Sequence, residues 1–234
     1  NLGNYTDAVK GFDTLIARYP KHARCEEALF TKAWALFELR KEKEGLSALE
    51  LVVKKYPKGE FASKALYSIG DFHHNTQNYE EAQKTYRKLL TRYPESEAAK
   101  KVPKILKELG ETIAYLHYER AFMILTRAEK THDRALYRQA AEKFELTILE
   151  YPDTESATGA YANALLCREE LGDWKKALSH IDSLISRHKE STPPGLYRYR
   201  ERIEEKLSGK KKSKTPPFEK RKRPKEPPKI NVPY

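Results

Sequence analysis

Apolar residues recur along the chain at the three- and four-residue spacing of amphipathic helices, with short polar turns between successive helices. The segment from Leu66 to Pro94 shows this pattern most clearly. Its first half places Leu66, Ile69 and Gly70 on one face, and a turn at Gln77 and Asn78 leads to a second apolar face of Tyr79, Ala82, Tyr86, Leu89 and Leu90. Because Gly70 and Ala82 are small, the segment predicts two closely packed helices.

The same pattern repeats with a fixed period. Tyr-Pro pairs begin at Tyr19, Tyr56, Tyr93 and Tyr151, and the first three lie 37 residues apart. In the same register each repeat has a small residue followed four residues later by a large one. These pairs are Ala8 and Phe12, Gly45 and Leu49, and Ala82 and Tyr86. Helix pairs with this period are typical of tetratricopeptide repeats. We therefore predict an all-α protein, a right-handed α-solenoid of about five tetratricopeptide-like repeats over residues 1–209.

The fourth Tyr-Pro pair lies 58 residues after the third, one period plus 21 residues. Pro103 and Gly110 punctuate this longer interval, so we predict a short helix at Lys104–Leu109 before the repeat itself. The fourth repeat then has a long first helix near Thr112–Ala128 and a second helix at Arg134–Glu150.

The two ends of the array depart from the period. Asn1 falls in the turn before the second helix of repeat one, so we expect a missing N-terminal element that would cover its apolar face. At the other end the fifth repeat has His188 where a Tyr-Pro pair would fall. An amphipathic segment, Pro194–Leu207, follows and is expected to cap the array.

The net charge of +11 lies mostly in one segment. Residues 210–234 contain ten Lys or Arg, two Glu and six Pro, so this tail contributes +8 and the rest of the chain +3. We predict that the tail is a separate region, disordered or extended along a partner.

The period, the Tyr-Pro endings and two further segments carry a family resemblance. The segment EYPDTESA at Glu150–Ala157 and the segment NYEEAQKTYRKLLTRYPES at Asn78–Ser96 resemble the BamD (YfiO) family of bacterial outer-membrane lipoproteins and the related CpoB (YbgF) proteins. The resemblance covers about residues 1–188. It implies an all-helical scaffold within a bacterial envelope complex that assembles outer-membrane proteins, or within another secretion, motility or division assembly. A missing N-terminal anchor would attach such a protein peripherally to the outer membrane.

The sequence carries no motif for catalysis or cofactor binding: it has no G-x-G-x-x-G, Walker loop, H-E-x-x-H or G-x-S-x-G segment. We therefore expect no enzyme, no cofactor and no catalytic metal. Adjacent side chains on a helix point about 100° apart, so His73 and His74 are expected to be surface histidines rather than ligands of one metal. Cys25 and Cys167 are expected to be small buried thiols.

Partner binding is the better-supported function. The first helices of stacked repeats line a concave groove that can hold a peptide or helix of another subunit. We assign to it Glu27, Phe30, Trp34, Phe37, Lys64, Tyr67, Asp71 and His74. The spacing of Phe30, Trp34 and Phe37 makes an aromatic ridge, although the same rings would also suit the core between repeats one and two.

The tail allows three interpretations. Its PxxP spacing favours a polyproline II helix in a partner's groove, with docking residues Arg223, Pro224, Pro227, Ile230, Val232 and Tyr234. Its basic runs could instead contact nucleic acid or anionic lipid, or it could be a solvated tail. We favour a protein partner over specific nucleic acid, because only Phe218 and Tyr234 could stack on bases. The protein is thus expected to be a scaffold at the periplasmic face of the outer membrane. The alternative is a cytosolic or nuclear adaptor that uses the basic tail.

Overall fold

The computed structural model describes residues 2–187, 192, 194–209 and 224. These residues form α-helices joined by turns and contain no strand, so the predicted all-α class is confirmed. The helices are α1 (Leu2–Arg18), α2 (Cys25–Glu38), α3 (Glu42–Lys55), α4 (Glu60–Asn75), α5 (Tyr79–Arg92), α6 (Glu97–Thr131), α7 (Arg134–Glu150), α8 (Glu155–Leu171), α9 (Trp174–Arg187) and α10 (Pro194–Ser208).

Two compact units make up the chain, with the boundary between Leu109 and Gly110 inside α6. In the first unit each helix packs on the next, from α1 to α5. The close approaches predicted at the small positions are present. A Cβ atom on Gly45 would lie 2.9 Å from the Phe37 ring, and one on Gly70 would lie 2.5 Å from the Tyr86 ring. Both helix pairs therefore need glycine at these contacts.

The turn between the two helices of a repeat has a recurring backbone conformation. Arg40 and Gln77 both have a left-handed φ, of 59° and 61°, and they lie one 37-residue period apart. His132 and Gly172 occupy this conformation in the turns that follow α6 and α8, at 53° and 63°. Only Gly172 has the residue type that this conformation favours, which explains why the sequence gives a weak turn signal in the other repeats.

A side chain of one repeat caps the first helix of the next. The Phe61 backbone N–H donates to Glu26 Oε1 at 2.6 Å, so the α2 carboxylate satisfies a free donor at the start of α4. A Cβ atom on Gly59 would lie 2.2 Å from Glu26 Oε2. Glycine at this position leaves room for the Glu26 carboxylate. The N-terminus of a helix carries a partial positive charge, so the negative charge of this carboxylate is favourable there.

The prediction of two helices between residues 104 and 128 is wrong. One helix, α6, runs through the whole segment with Pro103 inside it. Proline removes one backbone hydrogen bond and usually ends or kinks a helix. Here Ala99, Val102 and Leu109 on either side of Pro103 are buried, and this packing outweighs the local preference for a break. The second helix of the repeat, Arg134–Glu150, matches its prediction.

The second unit contains the end of α6 and helices α7 to α10 around one core. Side chains cap the N-termini of α7 and α8. Asp133 accepts from the Ala135 N–H at 2.7 Å at the start of α7, and Thr154 accepts from the Ala157 N–H at 3.2 Å at the start of α8. Helix α10 packs on α9 as the predicted cap, with Leu196, Tyr199 and Ile203 buried.

Candidate functional site

Five aromatic rings on α2 and α4 form a continuous cluster, which we call the aromatic face: Phe30, Trp34, Phe37, Phe61 and Phe72. Along α2, Trp34 is 6.3 Å from Phe30 and 6.0 Å from Phe37 between ring centroids. Across to α4, Phe30 lies 5.2 Å from Phe61, and Phe37 stacks on Phe72 at 5.7 Å. The ridge predicted on α2 therefore exists, and α4 widens it.

All five rings are half-buried, so each packs on its neighbours and keeps part of its surface open. An open cavity of about 330 Å³ lies at one end of the face. Trp34, Phe37 and Phe72 line its apolar part, and Glu38, Arg40 and Glu42 line its charged part. A cavity with aromatic walls and a few charged groups is the usual form of a binding pocket.

Two further predicted groove residues lie on the surfaces of the same two helices. Glu27 is exposed on α2. Lys64 is exposed on α4, where its Nζ atom pairs with Glu60 at 2.8 Å and lies 4.5 Å from the centroid of the Phe61 ring. The Lys64 charge is therefore positioned at the edge of the aromatic face.

The remaining predicted groove residues lie deeper in α4. Tyr67 is half-buried with its ring edge-on to Tyr86 at 5.9 Å. Asp71 is only 7% exposed and accepts a hydrogen bond from the Tyr86 hydroxyl at 2.5 Å. Burial raises the pKa of Asp71 to about 6, although the Tyr86 hydrogen bond and the Lys101 charge oppose the rise. Asp71 therefore contributes to the packing of α4 on α5 and not to the accessible surface.

His74 is 4% exposed, so the expectation that both adjacent histidines lie on the surface is wrong for this residue. Its ring packs edge-on against Tyr79 at 5.7 Å, and burial lowers its pKa. The signal was available in the sequence. His74 falls four residues after Gly70, on the face of α4 that meets α5.

The α2 aromatics combine contacts between repeats with exposed surface. Phe30 and Phe37 contact rings of α4, so they pack at the junction of repeats two and three. They also keep exposed surface and border a cavity. Packing between repeats and contact with a partner are therefore compatible roles for the same rings.

A buried polar cluster in the second unit was missed by the sequence analysis. Glu145 on α7 is fully buried and pairs with Arg168 on α8 through two bonds, Nε to Oε1 at 3.0 Å and Nη2 to Oε2 at 2.8 Å. Tyr199 of α10 donates to Oε1 at 3.0 Å, and His180 Nε2 of α9 lies 3.1 Å from Oε2. One carboxylate thus joins four helices. No fixed spacing relates these residues, so only the fold reveals the cluster.

Both cysteines are buried free thiols, as expected. Burial raises the pKa of the Cys167 thiol to about 12, so it stays protonated and packs as an apolar group. Cys25 donates from Sγ to the Tyr19 carbonyl oxygen at 2.9 Å.

No group of three or more His, Cys, Asp and Glu side chains in the described ranges is arranged to hold a metal ion. Among the described helices, none combines the length and apolar character needed to cross a membrane.

Of the six predicted tail-docking residues, Pro224 is described and is buried. The other five, Arg223, Pro227, Ile230, Val232 and Tyr234, lie outside the described residues.

A family model described as YfiO, outer membrane lipoprotein, matches residues 1–175. This chain belongs to the YfiO family. The predicted resemblance to BamD (YfiO) is therefore confirmed, and the family together with the repeat architecture supports a protein-interaction scaffold. The match covers α1 to α8, including every residue of the aromatic face.

Two solved structures are similar to this YfiO-family chain. One is the TPR2AB domain of yeast Sti1 in complex with pHSP90, at 16% identity and a TM-score of 0.41, covering 88% of this chain and 78% of that one. The other is a tetratricopeptide repeat protein from Parabacteroides merdae, at 19% identity and a TM-score of 0.37, covering 88% of this chain and 66% of that one. No curated protein matches the sequence significantly.

Proposed function

We propose that this YfiO-family protein is a non-enzymatic scaffold subunit of a bacterial cell-envelope complex at the periplasmic face of the outer membrane. In this proposal the aromatic face holds an extended or helical segment of a partner subunit. The observation that carries the proposal is the half-exposed row of Phe30, Trp34 and Phe37 beside an open cavity. The description of the family as outer membrane lipoproteins supports the location.

The chemistry of the aromatic face suits a protein partner. Aromatic side chains bury a large area with few rotatable bonds and dominate the energetics of many interfaces. Their ring contacts already hold Phe30, Trp34 and Phe37 in place, so a partner would lose little entropy in ordering them. Exposed Glu27, Lys64 and Glu38 lie on the same two helices and can form the polar rim of such an interface.

The test is photo-crosslinking of the full-length protein in its source bacterium. A photoreactive amino acid replaces Trp34 in one strain and Glu81 in another, because Glu81 is exposed on α5 away from the aromatic face. We expect one discrete envelope protein crosslinked at position 34 and not at position 81. The same partner should no longer co-purify with a variant that carries Phe30→Ala and Trp34→Ala, has no photoreactive residue and keeps its helical circular dichroism.

Two results would overturn this function. An unfolded double-alanine variant would show that the rings serve the core, as the alternative interpretation holds. A folded variant that retains the crosslinked partner would show that the partner binds elsewhere.

The basic tail is a separate prediction. We propose that residues 210–234 dock on a partner subunit, so that their deletion weakens the same complex while the helical content of residues 2–209 is unchanged. The alternative, an adaptor for nucleic acid, predicts that the full chain binds duplex or single strands with a steep salt dependence that the deletion removes. Both outcomes can be measured with one deletion variant.

A further inference from the structure

A second open cavity, of about 470 Å³, lies between α3 and α5 and shares no residue with the aromatic face. We call it the basic groove. Residues of α3 and α4 supply its floor, and the turn after α3 supplies one end. Its lining residues are Glu50, Val53, Lys54, Pro57, Leu66, Ile69, Lys88 and Arg92.

The charges of the basic groove are unpaired. Lys54, Lys88 and Arg92 are exposed, and within the described part of the chain none of them makes an ion pair, nor does Glu50. Lysines elsewhere in this unit do: Lys84, one turn before Lys88 on α5, pairs with Glu81 at 3.4 Å. Three cations against one carboxylate leave the groove with a charge of +2 that no ion pair with another described side chain offsets.

Beneath these charges the groove is apolar. Val53, Leu66 and Ile69 form its floor and are 6%, 2% and 6% exposed, so their packing fixes the floor in place. The wall at Pro57 is also fixed, because the Tyr93 hydroxyl donates to the Pro57 carbonyl oxygen. The result is a rigid hollow that can admit an apolar side chain between basic groups.

We propose that the basic groove binds an acidic segment of a partner protein, with its carboxylates on Lys54, Lys88 and Arg92 and an apolar side chain over Leu66 and Ile69. Arginine binds a carboxylate through two parallel hydrogen bonds, and Lys88 lies one helical turn before Arg92 on the same helix. Glu50 would repel a lipid phosphate, whereas a peptide can place a backbone N–H against it. This site is independent of the aromatic face, so either function can fail without the other.

The test measures binding of a fluorescein-labelled 14-residue peptide built from Glu, Leu and Ala to the full-length protein at physiological salt. The same peptide with Gln in place of Glu is the probe control. The groove variant carries Lys88→Glu and Arg92→Glu. The matched variant carries Lys84→Glu and Arg87→Glu, which makes the same charge change on exposed positions of the same helix outside the groove. Both variants keep the basic tail, so binding to the tail cancels in the comparison.

We expect the groove variant to weaken binding about tenfold or more and the matched variant to weaken it less than about twofold. Equal weakening by both variants, or equal binding of the Gln peptide, would overturn the proposal. Binding of vesicles containing phosphatidylglycerol that only the groove variant loses, without loss of peptide binding, would assign the groove to a membrane surface instead. As a measurement that needs no variant, carbodiimide should crosslink the Glu peptide to Lys54 and Lys88 of the wild-type chain, and the absence of both crosslinks would also overturn it.

Discussion

The Tyr93 hydroxyl group donates a hydrogen bond to the carbonyl oxygen of Pro57, with the two oxygen atoms 2.8 Å apart. Tyr93 follows α5, and Pro57 is the proline of the preceding Tyr-Pro pair, which follows α3. The tyrosine of one Tyr-Pro pair therefore binds the proline of the pair before it. The bond joins repeats two and three where their second helices end.

We expect Tyr93→Phe to lower the free energy of unfolding by about 1 kcal/mol, because it removes one hydrogen bond and leaves the ring in place. Tyr19→Phe is the matched control. Tyr19 opens the first Tyr-Pro pair, but its side chain is 60% exposed, so this change should have an effect below about 0.5 kcal/mol. Urea unfolding followed by circular dichroism measures both, and equal effects would contradict the role assigned to the bond.

Asp71 should make the stability of the first unit depend on pH. Its pKa is raised by burial to about 6, above the value of 3.8 in an unfolded chain, so the folded state holds the proton more tightly. Stability from this group is complete below about pH 4 and is lost as the pH rises through 6, a decrease of about 1–3 kcal/mol. The charged and titratable groups around it are Tyr86, Lys101 and Tyr67.

The comparison with Asp71→Asn isolates this effect. Asparagine keeps an oxygen that can accept from Tyr86 but does not titrate in this range. The difference in unfolding free energy between wild type and variant, measured from pH 4 to pH 7, should therefore favour the variant progressively as the pH rises. A constant difference would show that Asp71 has the same pKa in the folded and unfolded states, which would contradict the rise caused by burial.

Gly70 and Gly110 should respond to alanine in opposite directions. A Cβ on Gly70 would press on the Tyr86 ring at 2.5–2.8 Å, so Gly70→Ala should destabilise the protein by about 1–3 kcal/mol. A Cβ on Gly110 in α6 would meet nothing within 4 Å, so Gly110→Ala should stabilise the helix by about 1 kcal/mol. Thermal unfolding distinguishes the two, and a stabilising Gly70→Ala would mean that Tyr86 can move away.

The Glu145–Arg168 pair should show strong coupling. Arg168→Leu leaves a buried carboxylate without its main partner and should cost about 3–5 kcal/mol, and Glu145→Leu should be similarly destabilising. The double variant removes both charges, so its loss should be well below the sum of the single losses. A double-mutant cycle from urea unfolding provides the coupling energy, and simple additivity would argue against the ion pair as the source of the effect.

Periodicity predicted the helix pairs of repeats two and three well, because each position repeats a side-chain size that packing requires. Gly45 and Gly70 are examples: both occupy contacts where a larger residue would collide with an aromatic ring. Pro103 misled the prediction, since a local preference for a helix break says nothing about the buried residues on either side of it. The aromatic ridge on α2 was visible from spacing, whereas Phe61 and Phe72 joined it only through contacts between repeats.

The basic groove and the Glu145 cluster could not be read from sequence for a different reason. Each is assembled from several helices, and a charged residue on an amphipathic helix is usually solvated. Glu145 directly follows the buried Phe144, in a register that offered no sign of a partner on α8, α9 or α10. Information of this kind lies in the tertiary packing and not in any local pattern.

The cluster around Glu145 also places a constraint on how this part of the chain can diverge among relatives. A neutral replacement at position 145 leaves a buried guanidinium unpaired, and a neutral replacement at position 168 leaves a buried carboxylate unpaired. An apolar residue at one of these positions is therefore expected only together with an apolar residue at the other. An alignment of relatives should show positions 145 and 168 covarying. Tyr199 should follow them, although it lies beyond residue 175 where the family match ends, because its hydroxyl group would lose its acceptor.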